Sequence, residues 1–161
     1  MAEIAASGVT TNAAVMDWQG GAVEAASSGH DVVMSPTKFV YLDYYQSTNH
    51  STEPHAIGGF MPLKKVYQFE PIPAKLAPEF QSHILGGQCN LWTEYVASLP
   101  HAEYMIWPRA CALAEATWSS KESRDWEDFQ RRLQVDEARL GELGVNYRRD
   151  GGVVNGNNSS Q

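Results

Sequence analysis

The 161-residue chain predicts an α/β fold built on a parallel sheet, and three observations carry that expectation. An apolar run, a short helix-forming run and a second apolar run follow one another within the first 34 residues. A third extended apolar segment appears at 83–92, and a strong helical period closes the ordered part of the chain. Strands alternating with helices in this way build βαβ units, whose strands are parallel.

The first strand is expected over Ala13–Trp18 (AAVMDW), ended by Gly20-Gly21. Ala22–Ser28 (AVEAASS) is rich in helix formers and stops at Gly29, a natural C-terminal cap. Asp31–Met34 (DVVM) is β-branched, and Pro36 ends it. From Thr37 to Glu79 the sequence predicts a long irregular segment, since five of the eight prolines fall between Pro54 and Pro78. Loops of that length inside a domain are commonly functional. Its aromatic residues (Phe39, Tyr41, Tyr44, Tyr45, Phe60, Tyr67, Phe69) argue that it is ordered. His83–Trp92 (HILGGQCNLW) reads as the third strand, its two glycines hinting at a close backbone approach. Pro108 can open a helix reaching Trp118. Trp126, Phe129, Leu133, Leu140 and Leu143 then recur at helical spacing up to Gly144. After Tyr147 the tail is Gly- and Asn-rich, so residues 1–148 form the expected domain and 149–161 a disordered tail.

Composition narrows the function classes. The chain is 43% hydrophobic and 11% aromatic, with a net charge of −7 and a pI near 5.1. Lys and Arg are scattered, so neither nucleic acid nor an anionic membrane is an expected partner. No apolar run approaches a membrane span, and the N-terminus lacks the basic and apolar regions of a signal peptide; the compartment stays unassigned. Cys89 and Cys111 lack metal-type spacing; they could pair, but two buried thiols are the favoured reading. His50, His55 and His101 have no ligand spacing, and His30 and His83 read as structural or surface residues, so no metal or cofactor is expected. Arg109 reads as a structural hydrogen-bond donor near a helix start, and Glu115 as a buried or paired structural acid.

Two pairs stand at i and i+2, Tyr41 with Asp43 and Trp92 with Glu94. On an extended backbone such pairs project together. An indole beside a carboxylate offers an apolar plate and a hydroxyl acceptor, which is what a sugar ring needs. On spacing alone, a buried Trp beside a solvent-facing Glu is the commoner arrangement. Tyr41-Leu42-Asp43 alone could equally be a turn entry, and Trp18 alone a core residue.

Six stretches change that balance: AVMDWQGG (14–21), SGHDVVMSP (28–36), VYLDYYQ (40–46), AIGGFMPLKKVYQFEPIP (56–73), HILGGQCNLWTEYV (83–96) and EYMIWPRACALAEATWS (103–119), with GVNYR (144–148) after them. Together, and in this order, the chain resembles the β-N-acetylhexosaminidases of glycoside hydrolase family 20. The resemblance implies a (β/α)8 TIM barrel, of which this chain would be the C-terminal portion. Ala14–Trp18, Val32–Met34 and Ile84–Leu91 would be strands six to eight, and Met1–Ile4 the end of strand five. Barrels of this type take about 250 residues, so the three strands would be an incomplete sheet.

By the same resemblance, Trp18 and Trp92 correspond to pocket walls and Tyr41 to the residue bonding the 2-acetamido carbonyl. Asp43 and Glu94 correspond to the carboxylates that take O4 and O6. The implied partners are N-acetylhexosamine-terminated glycans, and the implied chemistry is retaining, substrate-assisted hydrolysis through an oxazolinium intermediate. The family's Asp-Glu acid pair has no counterpart here, because the chain's one Asp-Glu dipeptide, Asp136-Glu137, lies in the expected final helix. Gln19 stands where Arg is usual, and Met1 where another pocket Trp is expected. The isolated chain is therefore expected to turn over little or no substrate, and to self-associate or pair with a complementary N-terminal barrel fragment. The alternative is a non-catalytic carbohydrate-binding or interaction fragment.

Overall fold

The computed structural model describes residues 10–149. The expectation for Met1–Ile4 and, apart from Arg149, that for a disordered tail at 149–161 lie outside the described residues.

Three short strands form one parallel sheet in the order β1-β2-β3: β1 at Val15–Asp17, β2 at Val32–Met34 and β3 at Ile84–Gly87. Val15 pairs with Val32 and Val32 with Ile84, and an irregularity between Val32 and Val33 shifts the second register. β1 is shorter than the apolar run that announces it, and β3 is much shorter. Ala22–Ser27 forms α1 and crosses between β1 and β2 as expected. Its end is closed by His30 N–H donating to Ala25 O at 3.0 Å across Gly29.

The segment from Thr37 to Glu79 carries more structure than its prolines suggest. It holds α2 at Thr37–Val40, a 3₁₀ turn at His50–Thr52 and α3 at Leu63–Tyr67. Pro36 and Pro62 sit at the N-caps of α2 and α3, so these prolines start helices. A 3₁₀ turn at Pro78–His83 leads into β3, and another spans Thr93–Tyr95.

Helix α4, Leu99–Ile106, has no counterpart among the expected elements. Its start was legible: Ser98 caps it by accepting the His101 N–H at 3.3 Å, and Pro100 sits in the first turn. Pro108 is the N-cap of α5, Arg109–Trp118, as anticipated. A 3₁₀ turn at Lys121–Ser123 precedes α6, Trp126–Glu142. Asp125 caps α6 by accepting Asp128 N–H at 2.7 Å. Gly144 takes a positive φ of 73° beyond the C-terminus, and Val145 N–H donates back to Leu140 O at 2.9 Å.

One sheet face is covered. Val15, Val32 and Met34 join α1 (Ala22, Ala25, Ala26), α3 (Leu63, Val66) and α5 (Ala112, Leu113, Ala116) in one core, which α6 enters through Phe129 and Leu133. Gly87 marks the tightest contact, since a Cβ there would lie 2.7 Å from the Phe69 ring. The close approach expected of the glycine pair thus holds at Gly87, whereas a Cβ at Gly86 would meet nothing within 4 Å.

The opposite face is left uncovered. Met16 is 39% exposed and Leu85 59% exposed, so the strands are not buried on both faces. The cause is the layer arrangement: all the helices of the described core lie against the other side. The α6 stripe is also only partly buried, because Leu143 projects past the last core contact and is exposed. Both cysteines are free and half-buried, and burial pushes the Cys111 thiol up to about 11.

Candidate functional site

The C-terminal ends of the strands converge on one side of the sheet, and each end is tied down by side chains. At the end of β1, the Asp17 carboxylate turns back to accept Gly20 N–H at 2.7 Å and Ala22 N–H at 3.0 Å. The next residue, Trp18, is held through its backbone, its carbonyl accepting Thr37 N–H at 3.1 Å and Thr37 Oγ1–H at 2.7 Å. These bonds join the β1–α1 turn to the start of α2. They leave the Trp18 indole 40% exposed.

Beyond α2 the chain runs beside the continuation of β3. Asn90 N–H donates to Val40 O at 3.0 Å and Leu42 N–H donates to Asn90 O at 2.7 Å, which makes Tyr41 and Asn90 an isolated parallel bridge. The Asn90 side chain is itself fixed. Its Nδ2 donates to Ser35 Oγ at 2.7 Å, and its Oδ1 accepts Gln88 Nε2 at 2.8 Å. Tyr41 and Asp43 are both buried and both border one cleft.

Trp92 and Glu94 reach that cleft by a different route from the one expected. β3 stops at Gly87, so neither residue lies on a strand. Trp92 has an extended backbone (φ −79°, ψ 130°) and Glu94 sits inside the 3₁₀ turn that follows. Strand alternation cannot align residues across a 3₁₀ turn. They meet because the turn wraps the cleft edge.

The cleft has a volume of about 390 Å3, and Trp18, Tyr41, Asp43, Trp92 and Glu94 all line it. Thr37, Tyr44, Ile57 and Thr93 complete the wall, none of them read as a site residue from the sequence. The Tyr41 ring lies 6.4 Å from the Trp92 ring and 6.1 Å from that of Tyr44, each tilted. Trp92 is 50% exposed, an open aromatic plate.

Polar character is concentrated on Asp43. It is only 4% exposed, and its Oδ1 has no hydrogen-bond partner among the described residues. Burial pushes its carboxyl above the ordinary carboxylate range; its own backbone N–H and the Arg109 charge pull it down, while Glu94 adds a push upward. Burial, and then the Asp43 charge, raise the Tyr44 phenol. The cleft therefore offers apolar plates, one buried acceptor in want of a donor, and a second carboxylate.

A larger cleft of about 720 Å3 lies on the far side of Trp18, and Gln19 lines that cleft instead. Its acids are already engaged: Asp17 by the turn, and Glu70 by Arg124 at 2.6 Å. Elsewhere, Glu115 pairs with Arg132 at 2.6 Å, as its reading as a paired structural acid requires. His83 pairs with Asp31 at 3.0 Å on the surface, and buried His30 contacts Ala13 O.

Comparison with known proteins places the chain. The catalytic-domain profile of glycosyl hydrolase family 20 matches residues 2–121. A beta-hexosaminidase of Porphyromonas gingivalis is 41% identical over 148 residues, covering 90% of this chain and 19% of that protein. A beta-N-acetylhexosaminidase of Cellulomonas fimi is 36% identical over 115 residues, covering 69% of this chain and 22% of its own length. The chain thus spans about a fifth of the length of these relatives. Among solved structures, the Vibrio harveyi exo-β-N-acetylglucosaminidase in complex with N-acetylglucosamine superposes with a TM-score of 0.80 at 34% identity. That match covers 93% of this chain and 24% of the other. The chain belongs to glycosyl hydrolase family 20, and its α/β fold is that of a piece of the family's TIM-barrel enzymes.

Proposed function

We propose that this chain is the C-terminal portion of a β-N-acetylhexosaminidase barrel and that its cleft binds a terminal N-acetylhexosamine. β1, β2 and β3 would be strands six, seven and eight, and the open sheet face carrying Met16 would be the barrel interior. The observation that carries the binding reading is the buried, unpartnered Asp43 Oδ1 in a cleft walled by Trp18, Tyr41 and Trp92. An unsatisfied buried acceptor costs about 1–3 kcal/mol, and a sugar hydroxyl would relieve it. Trp92 and Trp18 would stack on the apolar ring faces, and Glu94 would take a second hydroxyl.

In the reaction of the assembled site, the 2-acetamido oxygen attacks the anomeric carbon as the glycosidic C–O bond breaks. A general acid protonates the departing oxygen, and water then opens the oxazolinium with net retention. Tyr41 would orient the acetamido carbonyl and stabilise the developing charge. The acid has no counterpart in this chain: Asp136-Glu137 lies on α6, and Asp43 and Glu94 are assigned to hydroxyls. Without general-acid catalysis the rate falls by about 10²–10⁴-fold, so the chain alone would bind sugar and turn over little or none. That loss is also what favours the second reading, a carbohydrate-binding fragment without activity of its own.

A hydrolysis assay on a chromogenic N-acetylglucosaminide, with Glu94→Gln and Tyr41→Phe alongside, tests the reading. No turnover by the chain, with activity appearing when the N-terminal barrel part of a relative is supplied, supports it. Turnover by the chain alone that both substitutions abolish contradicts the missing-acid part. Binding that no added barrel part converts into turnover selects the non-catalytic fragment.

A further inference from the structure

A fully buried guanidinium binds the backbone on either side of the cleft residue Asp43. Arg109, at the first turn of α5, is 0% exposed and donates to several backbone carbonyls. Its Nε and Nη2 reach Met105 O at 3.2 and 2.5 Å, and Nη1 reaches Met61 O at 2.9 Å. The remaining two bonds bracket one residue: Nη2 donates to Leu42 O at 2.5 Å, and Nη1 to Tyr44 O at 3.1 Å. Leu42 and Tyr44 are the neighbours of Asp43. The planar fork of Arg, with five fixed donors, can hold two carbonyls two residues apart, which the point charge of Lys cannot.

We propose that Arg109 is a positioning residue that clamps the backbone on both sides of Asp43 and so sets where its carboxylate stands in the cleft. This rests on the reading of Asp43 as a sugar ligand. The clamp acts through charge as well as geometry, because the Arg109 charge favours the ionised form of Asp43 against burial. Groups electrostatically linked to this pair include Glu94 on the Thr93–Tyr95 turn, the Tyr44 phenol, and Cys89 after β3, whose thiol burial pushes up against a smaller downward pull from the Arg109 charge. Of these, Glu94 opposes Arg109 at Asp43.

The test is the pH dependence of N-acetylglucosamine affinity in the whole chain and in Arg109→Lys and Arg109→Gln. The clamp predicts that the pH at which affinity is half lost rises from the unmodified chain to Lys to Gln. It also predicts an affinity at neutral pH about tenfold lower in Arg109→Lys. Equal weakening at every pH, with an unmoved midpoint, overturns the proposal in favour of a merely structural role. Should both variants fail to fold, the unmodified chain decides by NMR without sugar. The Arg109 Nε–H resonance following the Asp43 carboxyl through one common midpoint supports the clamp, and an Arg109 resonance indifferent to that titration overturns it. Failure of the unmodified chain to bind sugar while this coupling is intact instead rejects the sugar-site reading.

Discussion

Asp43 concentrates the physical tension of the molecule. Its carboxyl is buried and its pKa lies above the ordinary 3.8, so the folded state holds this proton more tightly than the unfolded state does. The carboxylate therefore weakens the fold above its folded pKa, and that penalty fades as pH falls through it. Asp43→Asn is expected to raise the melting temperature at pH 7, with the gain shrinking as pH is lowered toward 4; thermal scans at both pH values check this. If Asp43 takes a sugar hydroxyl as proposed, sugar affinity is expected to run the opposite way, falling as the acceptor is protonated. Gly59 is a second pressure point. Its φ of 66° and the 2.4 Å from a would-be Cβ to the Tyr44 ring leave no room for a side chain. Gly59→Ala is expected to cost about 1–3 kcal/mol in urea unfolding and to displace Tyr44 from the cleft wall.

At the scale of elements, α6 is attached to the domain by few contacts. Phe129 and Leu133 enter the core, Trp126 and Phe129 pack on Tyr67, and Arg132 bridges to Glu115 of α5. Phe129→Ala should cost about 3–5 kcal/mol, whereas Val135→Ala, on the exposed side, should change stability by less than about 0.5 kcal/mol; denaturant midpoints distinguish them. The elements also show what a sequence can disclose. The β1-α1-β2 unit was legible because apolar runs and the Gly29 stop mark it without help from distant residues. The Trp126–Glu142 helix was legible from its period, but not how little of its stripe is covered, which depends on where the sheet ends. The segment from Thr37 to Glu79 looked irregular because helices of four and five residues carry no period. The five residues that line the cleft were singled out through motif resemblance, while the i, i+2 argument for Trp92 and Glu94 assumed a strand that ends at Gly87. Arg109, Tyr44 and Ile57 gave no cleft signal, since their part is set by contacts 48 to 67 residues distant for the Arg109 carbonyls alone.

For the molecule as a whole, the open sheet dominates. Among the described residues β1 and β3 each have a single strand neighbour, Met16 and Leu85 face outward, and the chain spans about a fifth of the relatives' length. Unpaired edges beside apolar surface promote association. Light scattering should show self-association rising with concentration, and Leu85→Lys should suppress it while leaving the core intact; a strictly monomeric chain at all concentrations contradicts this. Within the described residues no helix is long and apolar enough to cross a membrane. The central claim, that the cleft beneath Trp18 and Trp92 holds a sugar, is tested most directly by titrating N-acetylglucosamine into the chain and following tryptophan fluorescence. The account predicts a saturable change, weakened at least about tenfold (roughly 1.4 kcal/mol) by Trp92→Ala and by Asp43→Asn. Saturable binding that both substitutions leave untouched, or no binding by a folded chain, would contradict it.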